Sequence, residues 1–400
     1  MNTTIQHTTK YKSSPLGLIP EDWEVKKFKE IAKFYSGGTP STSIREYYEG
    51  TIPFIKSGEI YGEITEQFLN DIALKNSSAK MVFKGDILYA LYGANSGEVA
   101  ISKIEGAINQ AVLCVRTELN NLFIYNFLIN NKDVIVKKYL QGGQGNLSAD
   151  IVKKLDIPIP PVQEQKAIAD CLSTWDKAIE KQNILIAQKE LSKKALMQQL
   201  LSGKKRLKGF SDKWDLKSLE EVATFKNGKA HENGIDEDGA YKVVNSKFVS
   251  TNGTVFKSTN DNLCPLFVND IAMVMSDIPN GKALAKCFYV DENNKYTLNQ
   301  RICSITANKD TNSKFLFFIL NRNVHYLSFD NGVGQTNLKK EEVLECPLLM
   351  PDFREQTAIA NVLQCADEEL QLLKKKLEQL KEQKKGLMQV LLTGKKRLKY

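Results

Sequence analysis

The sequence has few of the residues that most metal sites and nucleophilic active sites require. It contains three histidines, His7, His231 and His325, and no two of them are close together. Its seven cysteines are odd in number, and none forms a Cys-x-x-Cys pair. We therefore expect no His-based metal centre, Ser/His/Asp triad, zinc site or disulfide framework. The cysteines are expected to be small core residues and the histidines to lie at the surface.

Long apolar runs and an apolar leader are also missing. The longest purely apolar runs, 87–92 and 315–320, are far shorter than the ~20 residues that span a bilayer. Residues 1–7 are polar, unlike a secretory signal, so we expect a soluble, cytoplasmic protein without a membrane partner. Hydrophobic residues at 42% suffice for globular cores, and a net charge of +8 suits a nucleic-acid partner without proving one.

Catalytic motifs are missing as well. There is no Gly-x-x-x-x-Gly-Lys-Ser/Thr phosphate loop, no Gly-x-Gly-x-x-Gly and no Asn/Asp-Pro-Pro-Tyr/Phe run of the amino-methyltransferase type. Residues 382–384 would suit the end of a nuclease carboxylate–lysine motif, but a solvated helix face is the better interpretation. We expect a non-catalytic chain, with no catalytic residue and no metal ligand.

An internal repeat organises the sequence. Glu164 and Glu355 stand 191 residues apart inside similar segments, and residues 197–208 match 388–399 at the same offset. Trp23 and Trp214 also match at this offset, whereas Asn109-Gln110 answers Asn299-Gln300 at an offset of 190. The chain is therefore one unit of about 190 residues written twice, with similar ends and a diverged middle.

The closing segment of each repeat predicts a long helix. Apolar residues step by four and three for more than four heptads, which is typical of a coiled-coil seam. The more economical partner for each helix is the other helix of the same chain, in an antiparallel sense, with Gln and Lys in the first seam fixing the register. The seam is predicted to contain Ile168, Leu172, Trp175, Ile179, Gln182, Ile186, Lys189, Lys193, Leu196 and Leu200 in the first helix and Ile359, Leu363, Ala366, Leu370, Leu373, Leu377, Leu380, Lys384, Leu387 and Leu391 in the second.

A globular unit precedes each helix. Short strand-like runs such as 52–55, 86–90 and 111–115 are separated by turn residues, and a helical stretch follows at 123–140 and 315–327. The predicted fold class is α+β: two mixed α/β domains joined by two long antiparallel coiled-coil helices, with a pseudo-two-fold repeat. The predicted domains are 1–157, the first helix 158–208, a second domain 209–348 and the second helix 349–400. The prolines of 158–161 mark the hinge into the first helix.

Several segments resemble one protein family. Residues 11–25, Ser36-Gly37-Gly38-Thr39-Pro40-Ser41, 52–60, 84–88 and the twice-used Glu-Gln-x-x-Ile-Ala helix start are similar to the specificity subunits of type I restriction–modification systems. The resemblance covers nearly the whole chain, including its duplicated layout. It departs in the second half, where Asn227-Gly228-Lys229-Ala230 replaces the Ser-Gly-Gly-Thr-Pro turn, which we interpret as a different DNA specificity.

This resemblance implies a DNA-recognition subunit without catalysis of its own. In the family, two target-recognition domains each read half of a split site in double-stranded DNA. The helices space the domains and carry two modification (methyltransferase) subunits, and restriction (endonuclease/translocase) subunits join them. S-adenosylmethionine, ATP and Mg²⁺ are implied for those partners and no cofactor for this chain. The alternative is a stand-alone coiled-coil DNA-binding regulator.

Base reading needs side chains that form paired hydrogen bonds, and phosphate contacts need Lys, Arg or backbone N–H groups. Polar and basic residues on predicted loops are therefore the DNA-binding candidates, although each could also be an ordinary loop residue. They are Ser36, Thr39, Lys56, Ser57, Asn95, Ser96, Gln144 and Asn146 in the first domain and Lys226, Asn227, Lys229, Asn245, Lys247, Ser276, Gln335 and Asn337 in the second. Asn109 and Asn299, inside strand-like runs, could equally be structural.

Overall fold

The computed structural model describes residues 10–140 and 147–398. The chain folds into two compact units. The first contains residues 1–183 and 375–400, and the second contains residues 184–374. Each long helix is therefore shared between the units, because its residues change from one unit to the other partway along.

The first unit is built from short strands and helices that follow one another closely. Its strands are β1 (Tyr11–Ser14), β2 (Gly17–Pro20), β3 (Glu24–Lys27), β4 (Ala32–Ser36), β5 (Ile52–Ile55), β6 (Phe68–Leu69), β7 (Lys80–Val82), β8 (Ile87–Ala90), β9 (Val99–Ile101), β10 (Gly106–Ile108), β11 (Val112–Thr117) and β12 (Asp156–Ile159). Its helices are α1 (Phe28–Ile31), α2 (Asp71–Lys75), α3 (Asn121–Asn130), α4 (Lys132–Leu140), α5 (Ala149–Lys153) and the first part of α6 (Val162–Leu200).

Two four-stranded sheets form the centre of the first unit, in the orders β4-β11-β8-β9 and β6-β5-β10-β7. The first sheet is antiparallel, with Cys114 opposite both Tyr35 and Leu88. The second contains one parallel pair, β5 and β10. Residues such as Ile55 and Val112 pack in one buried cluster that includes side chains of both sheets. The apolar runs recognised in the sequence are thus the buried strands of these sheets.

The second unit repeats this plan. Its strands are β13 (Asp215–Ser218), β14 (Ala223–Asn227), β15 (Tyr241–Val244), β16 (Lys257–Thr259), β17 (Ile271–Val274), β18 (Ser276–Asp277), β19 (Cys287–Tyr289), β20 (Tyr296–Leu298), β21 (Ile302–Ala307), β22 (Thr336–Asn337) and β23 (Pro347–Met350). Its helices are α7 (Leu219–Val222), α8 (Ser246–Ser250), α9 (Ser313–Leu320), α10 (Val324–Leu327), α11 (Lys340–Leu344) and the first part of α12 (Phe353–Leu391). The sheet order β14-β21-β17-β19 matches β4-β11-β8-β9, and β15 pairs in parallel with β20 as β5 does with β10.

The two long helices each contain 39 residues, about 58 Å at 1.5 Å per residue. They pair antiparallel. In the second unit Lys189 pairs with Glu369 (2.6 Å), and Lys193, further along α6, pairs with Asp367, earlier on α12. In the first unit Lys384 pairs with Asp176 at 2.5 Å. Every predicted seam position is buried or half-buried, including the polar ones. The seam lysines lie beside carboxylates of the opposite helix, so their charges are matched.

The Glu-Gln pair at the start of α6 fastens it to its domain. Glu164 is fully buried and accepts the indole N–H of Trp23 at 2.9 Å. The same carboxylate accepts two bonds from Arg397, at 2.6 and 2.9 Å. Gln165 accepts the backbone N–H of Asn120, the N-cap of α3, at 3.1 Å. The motif therefore orients three separate segments of the first unit.

The start of α12 makes the same contacts in the second unit. Glu355 accepts the indole N–H of Trp214 at 2.9 Å and both arms of the Arg206 guanidinium at 2.6 Å. Gln356 accepts the backbone N–H of Asn312, the N-cap of α9, at 2.8 Å. Arg206 follows α6, and its counterpart Arg397 follows α12. Arg206, which binds in the second unit, therefore follows the helix that begins in the first unit. Arg397, which binds in the first unit, follows the helix that begins in the second.

Two expectations from the sequence were wrong in detail. The stretches 123–140 and 315–327 are each two helices rather than one. The first divides at Asn131, whose side chain donates to the carbonyl of Phe127 (2.8 Å), and the second divides where Arg322 adopts a φ of 59°. His231 is buried, at 3% exposure, rather than at the surface. Its Nδ1–H donates to a backbone carbonyl (2.8 Å) and its Nε2 accepts the Thr297 hydroxyl (2.9 Å), so the buried imidazole is satisfied.

The expectation that the cysteines are core residues is confirmed for the five that are buried, whereas Cys171 is half-buried and the expectation was wrong for Cys365, which is exposed. Among residues 10–140 and 147–398, no helix is long and apolar enough to cross a membrane.

Candidate nucleic-acid interface

Loops that carry predicted DNA-binding residues meet at one edge of the first unit's β4-β11-β8-β9 sheet. Strand β4 ends at Ser36, opposite the beginning of β11, and β8 ends at Ala90, opposite Val112. Strand β5 ends beside the end of β10, so residues 56–57 emerge next to the turn at 109–111. We name this turn, together with residues 299–301 of the second unit, the Asn-Gln turn. All three loops leave the sheets around it.

Side-chain contacts connect these loops. The hydroxyl of Thr39 donates to Oε1 of Gln110 at 2.7 Å, which joins the loop after β4 to the Asn-Gln turn. The hydroxyl of Ser96 donates to the carbonyl of Leu91 at 2.9 Å and fixes the loop after β8. A Cβ on Gly58 would lie 3.4 Å from Nδ2 of Asn95, so these two loops are neighbours. The structure thus brings together Ser36, Thr39, Lys56, Ser57, Asn95 and Ser96.

The predicted residues Gln144 and Asn146 lie outside the described residues. The structure does describe Leu147, which follows them. Its backbone N–H donates to the carbonyl of Leu91 at 2.8 Å. In the second unit the corresponding N–H of Leu338 donates to Met275 at 2.8 Å. Leu147 and Leu338 stand 191 residues apart, which is the offset of the repeat.

In each unit a glycine follows directly after the first strand of the four-stranded antiparallel sheet. It lets the chain pass against the backbone at or next to the Asn-Gln turn. A Cβ on Gly37 would lie 1.7 Å from the carbonyl oxygen of Ile108, and a Cβ on Gly228 would lie 2.0 Å from that of Asn299. Any side chain would have to push backbone away, because real Cβ atoms do not approach so closely. Both units therefore need glycine here, although the surrounding turn sequences differ.

The second unit presents the equivalent edge. Strand β14 ends at Asn227 opposite Cys303, and β17 ends opposite Ile302. The Asn-Gln turn is held from two sides, because the N–H of Asn299 donates to the carbonyl of Val244 (3.1 Å) and that of Gln300 to Lys229 (3.0 Å). Lys229 and Asn245 therefore lie next to this turn.

Three predicted residues of the second unit form one hydrogen-bonded group, which we name the serine cluster: Ser276, Gln335 and Asn337. The Ser276 hydroxyl donates to Oδ1 of Asn337 at 2.6 Å and accepts from Nε2 of Gln335 at 2.8 Å. Strands β18 and β22 pair Ser276 with Asn337. Ser276 is buried, whereas the two amide residues are exposed, so the hydroxyl orients amides that face solvent.

Several predicted residues of the second unit also have local structural roles. Asn245 caps helix α8 by accepting the N–H of Phe248 at 2.9 Å. The ammonium of Lys226 donates to the carbonyl of Pro265 at 3.4 Å. Asn227 accepts a bond from the Cys264 thiol through its backbone oxygen, so its side chain is not used there. Lys247 is exposed on α8.

The sequence interpretation missed the side chains of the Asn-Gln turn itself. Gln110 and Gln300 are both exposed, and Nε2 of Gln300 donates to Glu232 at 2.6 Å. Arg301 is exposed beside them. The recurrence of Asn-Gln in both repeats was the available signal, but its position inside strand-like runs hid the turn.

A fixed carboxylate lies at the base of the loop after β8. Glu98 accepts the Tyr61 hydroxyl at 2.6 Å and pairs with Lys132. Burial alone would raise the pKa of Glu98, but the hydrogen bonds from Lys132 and Tyr61 outweigh it and hold this pKa below its usual range. The pKa of Tyr61 is raised, first by burial and then by its bond to this carboxylate. Both groups therefore keep one protonation state near neutral pH and anchor the loop.

Within the described ranges, no group of three or more His, Cys, Asp or Glu side chains could hold a metal ion. The edge instead offers hydroxyls, amides and cations. These are the groups that hydrogen-bond to base edges and contact phosphates.

The family model and the similar proteins of known sequence all indicate one protein family. The sequence model of the type I restriction modification DNA specificity domain matches residues 20–188 and again 211–382. The MjaVIII type I restriction enzyme specificity subunit of Methanocaldococcus jannaschii is 25% identical over 95% of this chain and 94% of its own length. The MjaIX specificity subunit of the same organism is 34% identical over 44% of each chain.

Solved structures share the fold. The crystal structure of a type I restriction-modification S subunit from M. genitalium has a TM-score of 0.57 at 18% identity and covers 92% of this chain and 96% of its own. A chain from a study of the assembly and conformational transition of the type I R-M system has a TM-score of 0.62 at 13% identity, covering 94% and 99%.

Proposed function

The chain belongs to the type I restriction-modification DNA specificity family, and from that membership we propose that it is the non-catalytic subunit that selects the DNA site of such a complex. Each unit reads one half of a split site in double-stranded DNA. The paired helices space the two readers and dock two methyltransferase subunits, to which restriction subunits are added. S-adenosylmethionine, ATP and Mg²⁺ act in those partners and not in this chain.

The observation that carries the proposal is the duplicated sheet edge. Both units gather polar loops around an Asn-Gln turn, and both carry the family match. Hydroxyl and amide groups can discriminate base pairs in the major groove, and nearby lysines can position the phosphates. One chain therefore presents two different readers. A stand-alone regulator is not favoured, because the relatives that span the whole chain are named specificity subunits.

Methylation mapping tests the proposal directly. The chain is produced with a methyltransferase subunit of its own system, and methylated sites are read from the host genome. We expect one split motif, with two specific halves and an unread spacer. A continuous motif, or methylation independent of this chain, would contradict the proposal.

Variants of the edges assign the halves. Replacing Gln335 and Asn337 with alanine removes the amides of the serine cluster, so we expect degeneracy in one half-site only. Thr39→Val removes the hydroxyl that binds Gln110 and is the matched variant of the first unit, expected to relax the other half-site. If both variants altered the same half, the assignment of one reader to each unit would be wrong.

A further inference from the structure

Arg301 occupies an unusual backbone conformation at the candidate DNA edge. It is the last residue of the Asn-Gln turn in the second unit, its φ is 67°, and it is exposed. Residues with a bulky side chain rarely adopt this left-handed conformation. Among the residues that the structure describes, four of the other six left-handed non-glycine residues are asparagines, which tolerate this conformation best. An arginine at this point therefore needs an explanation.

The fold gives no structural reason for the arginine side chain. The carbonyl of Arg301 accepts the N–H of Met275 at 3.0 Å, and in the first unit Ala111 makes the same bond to Leu91 at 2.8 Å. An alanine that is not left-handed thus makes the equivalent bond, so this bond requires neither the arginine side chain nor its backbone conformation. Arg322, which is also left-handed, differs because its guanidinium donates to the carbonyl of Leu284 at 3.0 Å.

The guanidinium of Arg301 is also not neutralised by any carboxylate in the part of the chain that the structure describes. Within residues 10–140 and 147–398 it forms no ion pair or side-chain hydrogen bond. By contrast, Arg116, Arg206 and Arg397 are each held by a carboxylate through two nitrogens. Arg301 thus leaves its donor fork available at the edge where the second unit is proposed to read DNA.

Its neighbours belong to the same edge. The preceding residue, Gln300, binds Glu232, and Met275, which donates to the Arg301 carbonyl, is followed by Ser276 of the serine cluster. Arg301 therefore stands between two polar groups that fix the surrounding loops. Loops held by hydrogen bonds, around a guanidinium that has no partner among the described residues, are the arrangement that a specific contact requires.

We infer that Arg301 reads a guanine in the half-site of the second unit, donating to O6 and N7 of that base in the major groove. This bidentate contact is the commonest specific contact between arginine and DNA, and Lys cannot reproduce its planar fork. The inference rests on the proposed function. It adds that the half-site of the second unit contains a guanine whose recognition depends on this one side chain.

The test uses the complex of the chain with its methyltransferase subunit. Duplexes carrying the mapped motif are prepared with each guanine in turn replaced by 7-deazaguanine, which lacks the N7 acceptor but still pairs with cytosine. We expect one replacement to weaken binding by the wild-type complex at least about fivefold. With Arg301→Gly the same replacement should have no effect, and the methylation motif should become degenerate at that position.

Two controls separate reading from folding and from simple charge. Glycine adopts the left-handed conformation freely, so Arg301→Gly should melt at the wild-type temperature or above. Arg354→Ala removes an equal charge from the exposed start of α12 and should leave the motif and the 7-deazaguanine effect unchanged.

The outcomes are distinct. A second half-site without guanine overturns the inference, as does an Arg301→Gly complex that keeps the motif and loses affinity equally for all sequences, because that result marks a phosphate contact. A wild-type complex without any split motif would instead refute the proposed function. A degenerate position in the half-site of the first unit would place Arg301 with the wrong reader and also overturn the inference.

Discussion

The indole N–H of Trp23 donates to the carboxylate of Glu164, 141 residues further along the chain, at 2.9 Å. Arg397 closes this group from the other end of the sequence and also forks onto Asp22 at 2.8 Å. Its guanidinium pKa is raised, first by the hydrogen bonds to Glu164 and, after opposing burial, by Asp22. The start of α6 is thus held by a buried carboxylate together with an indole and an arginine.

Glu164→Ala should lower the free energy of unfolding by about 3–5 kcal/mol, because it leaves the Trp23 indole and part of the Arg397 fork without their buried partner. Urea denaturation measures this change. Glu180→Ala, at an exposed position of the same helix, is the control and should change stability by less than about 0.5 kcal/mol. Equal effects of the two variants would contradict a structural role for the buried group.

Charges placed in the helix seam should separate the two helices. The double variant Leu373→Asp and Leu377→Asp puts carboxylates at positions that are half-buried and 8% exposed, respectively. We expect a loss of about 3 kcal/mol or more and no methylation at split sites. The control, Leu372→Asp, lies at 67% exposure on the same turn and should retain both stability and methylation. Cooperative DNA binding by the double variant would count against the paired helices.

The units should be exchangeable readers. Residues 214–345 lie inside the second unit, whose main apolar core contains side chains of that unit alone. Replacing them with the corresponding segment of another family member should therefore change one half of the methylated motif and leave the other half intact. Methylome sequencing reads both halves in one experiment, and a change in both would refute the two-reader arrangement.

Matched heptads test whether the helices measure the DNA spacer. The insertion points, after Ile186 and Leu373, lie beside the ion pairs Lys189–Glu369 and Lys374–Glu190 between the helices. The inserted heptads should therefore face each other and keep the two helices in register. Seven residues add about 10 Å, or up to ~3 base pairs of spacer, and rotate the second half-site by about 100°. We expect a longer spacer and weaker binding, since the DNA must twist. An unchanged spacer with full activity would show that the helices only carry partners.

The sequence predicted the elements that depend on periodicity. The strand at 52–55 and the seam of both helices follow from the alternation and spacing of apolar residues, and the repeat predicted their duplication. The breaks at Asn131 and Arg322 were missed because apolar residues resume at Val134 and Val324, within three residues of each break. The hydrogen bond that satisfies the buried His231 comes from Thr297, 66 residues away. The residues next to His231 in the sequence therefore do not predict its burial.

The candidate site was predictable in part. Glycine and polar turn residues marked the loops, and the structure brings most of them to one edge in each unit. Gln300 and Arg301 were overlooked because the turn lies between two strands and the arginine is a poor turn residue by statistics. Ser276 could be chosen from sequence, but its bonds to Gln335 and Asn337 depend on a strand pairing across some 60 residues.

The contact between Arg397 and Glu164 has a consequence for folding during protein synthesis. Met388, Leu391 and Leu392 enter the apolar core of the first unit, and Arg397 completes the buried group at Glu164. A ribosome makes these residues only after the entire second unit has been translated. The unit that is begun first is therefore completed last, whereas domains generally fold in the order of their synthesis. Until these residues are translated, the apolar core of the first unit lacks part of its side chains. Premature termination before residue 388 would therefore leave the first unit incomplete although the second unit has all of its residues.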